Sequence, residues 1–420
     1  MFSSIILVII VIGSLIIVHE LGHLILAKAS GLPVEQFSVG FGPIIFRKRF
    51  KDTEYRLSLI PLGGYIKLAG DETDATFGFN IAPLSKKALV ILAGPAFNLF
   101  LGIFLTWVLY GVFGVSTFST KIVPEANGLK YGLQIGDEII KINNETIPDW
   151  SVLEKVLNKY KNQNVSFTIK RGDNIISIPG SLPINPESSF FRPYIEPVID
   201  IVKKQSPAEK VGLRKNDRIL QVDSVPIYDW YQFTELIRMS KTPKRYLKWI
   251  RENTIYEDSI EISYAQDEIG SQKRGIIGVW VKLPQKKLSF FQALVSATER
   301  TVYVAIQTFV IIYKVIAGEI PKSSIGGPVM VGKLTYEGAQ WGIKYLLGLW
   351  AVLSINLCVI NLFPIPLLDG GRILLYSLES AFRKKFSKKI WEISFYLGYA
   401  LVGLIVILAL FNDITRIIKK

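Results

Sequence analysis

Four stretches of this chain are almost wholly apolar, at residues 5–26, 88–112, 345–363 and 393–411. About 20 apolar residues suffice to cross a bilayer, so each stretch predicts a membrane-spanning helix. A fifth run, 301–317, is shorter and carries Gln307 and Lys314. It suits either a span or an amphipathic helix lying along the interface. Elsewhere the pattern alternates. Residues 54–69, EYRLSLIPLGGYIKLA, alternate on both sides of Pro61-Leu62-Gly63-Gly64, which predicts a β-hairpin closed by a glycine turn. Short alternating runs at Glu138–Ile142 and Arg218–Val222 predict half-buried strands in the polar stretch between the second and third spans.

That polar stretch repeats itself. Residues 132–150 read GLQIGDEIIKINNETIPDW and residues 212–230 read GLRKNDRILQVDSVPIYDW, with Gly132/Gly212, Asp137/Asp217, Ile139/Ile219, Asp149/Asp229 and Trp150/Trp230 matching at an offset of 80. Two tandem domains are expected, at 118–195 and 196–285, between membrane regions at 1–117 and 286–420. The pattern G-L-x-x-(G/N)-D-x-I-x-x-(I/V)-(N/D) resembles the helix-to-strand turn of a PDZ domain. The fold class expected is a multi-span α-helical membrane protein with a membrane-associated β-hairpin, plus two tandem PDZ-like α+β domains.

Composition fits that layout. Hydrophobic residues make up 50% of the 420 and mean hydropathy is +0.33, high for a soluble enzyme. The 49 Lys and Arg against 35 Asp and Glu leave a net charge of +14. Much of the excess flanks apolar runs: Arg47-Lys48-Arg49 and Lys51 follow the first, Lys86-Lys87 precede the second, and Arg383-Lys384-Lys385 with Lys388-Lys389 precede the last. Charge so placed orients helices by the positive-inside rule, and no nucleic-acid partner is expected. The single Cys358 rules out an intramolecular disulfide. The opening run lacks a basic leader and is interrupted by His19-Glu20, so it is expected to remain as an anchor rather than be cleaved.

Both histidines of the chain fall in one pentapeptide inside the first apolar run, His19-Glu20-Leu21-Gly22-His23. Residues four apart share a helix face, so both imidazoles can reach one metal ion. Glu20 follows the first of them, where it can take the proton of an attacking water as general base. Ionisable groups at membrane depth are expensive and mark functional sites. Catalytic zinc has three protein ligands, and no third histidine exists. The best remaining candidate is Asp369 in NLFPIPLLDGGR, residues 361–372. Pro364 and Pro366 break regular helical bonding, which aims Asp369 back into the protein. Asn356 and Asn361 are five apart, so one can bond neighbouring helices while the other faces substrate. The hairpin has two readings: an ordinary cytoplasmic hairpin, or one dipping to the metal with a free edge for an extended substrate. On the second, Gly63, Gly64, Tyr65, Ile66 and Lys67 would bind it.

Chain direction supplies a further constraint. With the histidines at the cytoplasmic end of the first span, the repeats fall outside the membrane on the far side. The third span then brings Asp369 back to the side of His23. A full crossing by 301–317 would put Asp369 on the opposite face, so a non-spanning helix is expected there.

These features together resemble the bacterial site-2 protease family, over nearly the whole chain. Leu92-Ala93-Gly94-Pro95 with Asn98, Ser324-Ile325-Gly326-Gly327-Pro328 and the ending LALFNDITR share in the resemblance. It implies a zinc intramembrane protease in the inner membrane, with His19, His23 and Asp369 as Zn2+ ligands and Glu20 as general base. It implies substrate handling by Asn361 and a re-entrant β element at 56–68. It also implies single-span substrates, such as membrane-anchored anti-sigma factors and remnant signal peptides, trimmed first by an upstream site-1 type protease. One departure is that the first repeat lacks a recognisable carboxylate-binding loop before Gly132, which puts C-terminal peptide capture in doubt for that repeat and leaves steric filtering of bulky substrates as an equal alternative.

Two other functions compete. A membrane PDZ scaffold with an inactive metal site has no use for Glu20 beside its ligands. A proton or metal transporter needs ionisable residues along other spans, and the third and fourth carry almost none.

Overall fold

The computed structural model describes residues 2–71, 77–130, 132–160, 163–183, 190–266 and 273–418. The chain folds as two units, Met1–Phe113 with Leu288–Lys420, and Gly114–Lys287.

In the first unit, four helices among the described residues are long and apolar enough to cross a membrane: Ile6–Ala29, Leu84–Phe113, Ile343–Asn361 and Lys388–Arg416. They coincide with the four apolar runs of the sequence. The weaker fifth run, up to its last residue, lies in a longer helix, Phe290–Ile316, with Ala317 as its C-cap; this helix is not one of the four. Its start is defined by a capping box in which Ser289 and Gln292 satisfy each other's exposed backbone donors. Ala293, Ala297 and Thr301 are buried at four-residue spacing, forming a seam of small side chains on one face.

The β element differs from the expected hairpin. Residues 54–60 and 65–69 do not pair with each other. Instead a strand Val34–Phe50, unread in the sequence, pairs with Thr53–Leu68. Both strands bend, so residues 36–39 have neighbours on two sides: Lys67, Ile66, Tyr65 and Gly64 on one, Glu54, Tyr55, Arg56 and Leu57 on the other. Beyond the bend, 44–50 pairs back onto 53–58. Residues 64–68 thereby form one edge of a small sheet. Beneath it, Leu24, Phe37, Leu68, Phe79, Val90, Leu375 and Trp391 share one buried apolar cluster.

Two of the sequence motifs meet at the end of the last helix. Asp413 accepts from the backbone N–H groups of Gly327, Val329 and Met330 at 3.0–3.1 Å, capping the helix Pro328–Trp341 from outside the chain's local neighbourhood. Asn412 donates to the carbonyls of Lys322 and Ile325. The last helix thus holds the turn that leads into Pro328.

The second unit repeats in space what the sequence repeats. One four-stranded sheet contains Glu138–Ile142, Asn164–Arg171 and Asn174–Pro183; the other contains Arg218–Val222, Lys244–Arg251 and Thr254–Glu261. Asp137 and Asp217 have fully buried side chains, each paired with an arginine two strands on, Arg171 and Arg251. In both, arginine Nε donates to the carboxylate at 2.7 Å and Nη2 donates to a glycine carbonyl, Gly132 or Gly212, at 2.7 Å. Asp149 and Asp229 cap the helices Trp150–Lys159 and Trp230–Arg238. A hydrogen bond from Lys286 Nζ at 2.7 Å holds the Asp149 carboxyl well below its ordinary range, at about 2.

Candidate metal centre and active site

The first helix supplies two candidate ligand atoms one turn apart, as its sequence spacing requires. His19 Nε2 and His23 Nε2 are 3.2 Å from each other. Asp369 comes from another element. After Asn361 the helix stops, Pro364 and Pro366 contribute no N–H, and a short irregular turn leads to a new helix, Asp369–Ala381. That turn delivers Asp369 Oδ2 to 3.1 Å from His19 Nε2 and 3.6 Å from His23 Nε2.

Three acceptor atoms facing one another across such distances repel unless a proton or a cation lies among them. Asp369 Oδ2 is buried with no hydrogen-bond partner, which is costly for a carboxylate. His23 Nδ1 lies 2.8 Å from the Val90 carbonyl. A carbonyl only accepts, so this ring's proton sits on Nδ1 and the Nε2 lone pair is free. Two imidazole nitrogens and one carboxylate oxygen form the donor set of catalytic zinc sites, with room left for water. The residues present fit that ion.

Glu20 borders the same space, a cavity of about 680 Å3. Its walls include Gly63, Gly64, Tyr65, Ile66 and Leu68 from the sheet edge, Asn361 from the third span, and Arg372, Tyr376, Trp391 and Tyr399. Gly64 is what lets the strand approach. A Cβ there would be 3.0 Å from Glu20 Cγ and 2.9 Å from the Ser38 carbonyl oxygen.

Of the residues singled out in the sequence, His19, Glu20, His23, Asp369, Asn361, Gly63, Gly64, Tyr65 and Ile66 all reach this cavity. Asn356 and Lys67 do not line it. Asn356 Oδ1 instead accepts from Thr308 Oγ1 of the helix Phe290–Ile316 at 2.8 Å, and Lys67 Nζ pairs with Glu35 at 3.0 Å. The two asparagines thus divide: one bonds a neighbouring helix, the other faces the cavity. Sequence reasoning missed Arg372, which donates to Asp71 at 2.8 Å and 3.0 Å. Its position three after Asp369, on the same helix face, was the available signal.

Comparison with known proteins agrees with this chemistry. The profile of Peptidase family M50 matches residues 7–405. The regulator of sigma-E protease RseP of Salmonella typhimurium is 30% identical, over 97% of this chain and 98% of its own. Its Escherichia coli namesake is also 30% identical over the same shares. A Vibrio cholerae protein that carries a zinc-metalloprotease name is 29% identical, again over 97% and 98%. Among solved structures, a PDZ domain from Listeria monocytogenes overlaps 21% of this chain and 90% of its own at 20% identity, with a TM-score of 0.18. With the family profile matched across both halves of the metal cluster and full-length relatives at this identity, the chain belongs to Peptidase family M50, and it is a multi-pass zinc metalloprotease that acts within the membrane.

Proposed function

We propose that His19, His23 and Asp369 hold the zinc ion and that Glu20 is the general base for hydrolysis of a peptide bond in a substrate's membrane segment. The observation that carries this reading is the convergence of the three ligand atoms, all within 4.8 Å of one another, on the cavity that Glu20 borders. Zinc, when bound, supplies the Lewis acidity that polarises a carbonyl and acidifies water. Glu20 takes the proton of the attacking water and passes it to the leaving amine.

Helical amides are protected by their own hydrogen bonds, so the substrate must be extended before attack. The strand edge at Gly63–Ile66 offers the backbone groups for that. Among the described residues no strand borders 64–68 on the side away from 34–39, and strand addition to such an edge is a common mode of peptide recognition. Asn361, which lines the same cavity, is a polar contact for the unwound chain. The β element enters the membrane from the cytoplasmic side, which puts its free edge against protein and water rather than lipid.

The substrates are single-span proteins of the bacterial inner membrane, anti-sigma factors and remnant signal peptides among them, already trimmed outside by another protease. The sigma-E names of the relatives support the first class. The repeats at 118–195 and 196–285 are tandem PDZ-like domains on the periplasmic side, acting as a size filter. The matching Asp–Arg pairs at an offset of 80 support the tandem reading.

The test is cleavage of a tagged single-span substrate by purified protein in lipid vesicles, with the cut located by mass spectrometry. A cut inside the apolar segment of the trimmed substrate is expected; a cut confined to its soluble flanks contradicts the reading. Replacing 118–285 by a Gly/Ser linker, reaching about 5–6 Å × √n, should also admit the untrimmed substrate. If that variant folds and binds zinc yet still refuses it, the repeats are not the filter.

A further inference from the structure

The second span presents Val90, Gly94 and Asn98 at four-residue spacing, hence on one face, and that face lies against the two histidines. His23 meets the Val90 carbonyl. One rung further, His19 Nδ1 lies 3.2 Å from the side-chain amide of Asn98, at Nδ2. Asn98 is completely buried, and its backbone carbonyl is pinned by Ser354 Oγ of the third span at 2.7 Å. Its Oδ1 is buried with no partner.

An amide can face a ring by either end, because its oxygen and nitrogen are nearly interchangeable in shape. With Nδ2 toward the ring, His19 Nδ1 must accept, and the ring proton moves to Nε2. That is the atom aimed at Asp369, and protonated it cannot bind zinc. With Oδ1 toward the ring, Nδ1–H donates, the orphaned oxygen gains a partner, and Nε2 is free.

We infer that Asn98 is the positioning residue of His19, accepting Nδ1–H through its side-chain oxygen whenever zinc is bound. The inference rests on the reading of His19 as a zinc ligand. His23 would be held in the same tautomer by a backbone carbonyl and His19 by a side chain. Outer partners of this kind orient metal-bound imidazoles, and their loss weakens metal affinity about 10–100-fold.

Only two histidines exist in the chain, so 15N-histidine NMR of the zinc-loaded, full-length protein in nanodiscs reads both rings without ambiguity. The expected result is a protonated Nδ1 and a metal-bound Nε2 on each. A His19 ring bound to zinc but lacking the Nδ1 proton overturns the inference and leaves the ligand reading intact. A His19 ring that does not respond to zinc overturns both. Chelator competition supplies the second arm. Asn98→Ala should lose about 10–100-fold in zinc affinity, whereas Asn98→Asp, whose carboxylate still accepts, should stay within about threefold of the wild type or bind more tightly. An alanine variant with unchanged affinity, or an aspartate variant as weak as it, contradicts the inference. If the alanine variant does not fold, the NMR result and the aspartate variant decide.

Discussion

Gly94 lies directly against His23: a Cβ at position 94 would stand 2.3 Å from His23 Nε2. It would also stand 2.8 Å from His19 Cε1. Neither ring can retreat while keeping its neighbour on the second span, so Gly94→Ala must displace a ligand or push the helices apart. The expected outcome is a loss of zinc affinity of tenfold or more, with the four spans still formed. Elemental analysis of purified protein after mild chelation checks it, and full zinc retention would show that the site has slack the geometry does not suggest.

The paired Asp217 and Arg251 make the second repeat sensitive to a single change. Asp217 has no side-chain exposure and Arg251 has 19%, so removing the arginine leaves a buried, uncompensated carboxylate. Breaking such a pair costs about 3 kcal/mol. Arg251→Leu should therefore be cut by thermolysin much faster within residues 199–281, while zinc content stays at the wild-type level. Equal proteolysis of the two proteins would refute the structural role of this pair.

Acid should loosen the first repeat at the N-terminus of its helix Trp150–Lys159. The Asp149 pKa is about 2 in the folded chain, below its ordinary 3.8, chiefly through Lys286. A depressed carboxylate pKa contributes stability that is present above the unfolded value and is lost as pH falls through the folded one. The window is thus from about pH 4 down to about pH 2. Hydrogen exchange across residues 150–159, corrected for intrinsic rates, should rise in that window in the wild type. Asp149→Asn should weaken the dependence at the start of the helix, leaving at its end the part carried by Glu145, which Lys159 and Tyr160 also hold below its ordinary range, and should exchange faster at neutral pH.

Much of the site could be read before the structure, because its residues obey short-range rules. His19 and His23 share a face by helical spacing, and Asp369 follows as a candidate from the lack of a third histidine, the two prolines that end its span and the direction of the chain. The strand Val34–Phe50 could not be read that way. Its alternation is broken by Gly40, Gly42 and Pro43, and its basic end at 47–51 looked like a membrane flank. Without it, 54–69 seemed to have no partner but itself. The Val90 carbonyl was invisible for a different reason, since a backbone group leaves no mark in side-chain sequence. Arg171 and Arg251 were legible, standing at the same offset of 80 as the aspartates they pair with, but outside the segment that announced the repeat.

In the proposed mechanism the histidines and Asp369 bind zinc while Glu20 moves the proton. Glu20→Gln separates those duties, because the amide has the same shape and cannot act as a base. Purified wild type and variant should be compared for zinc content and for cleavage of one trimmed single-span substrate in vesicles. Equal zinc with cleavage abolished is the predicted result. Substantial cleavage within the membrane segment by the variant would contradict the assignment of Glu20.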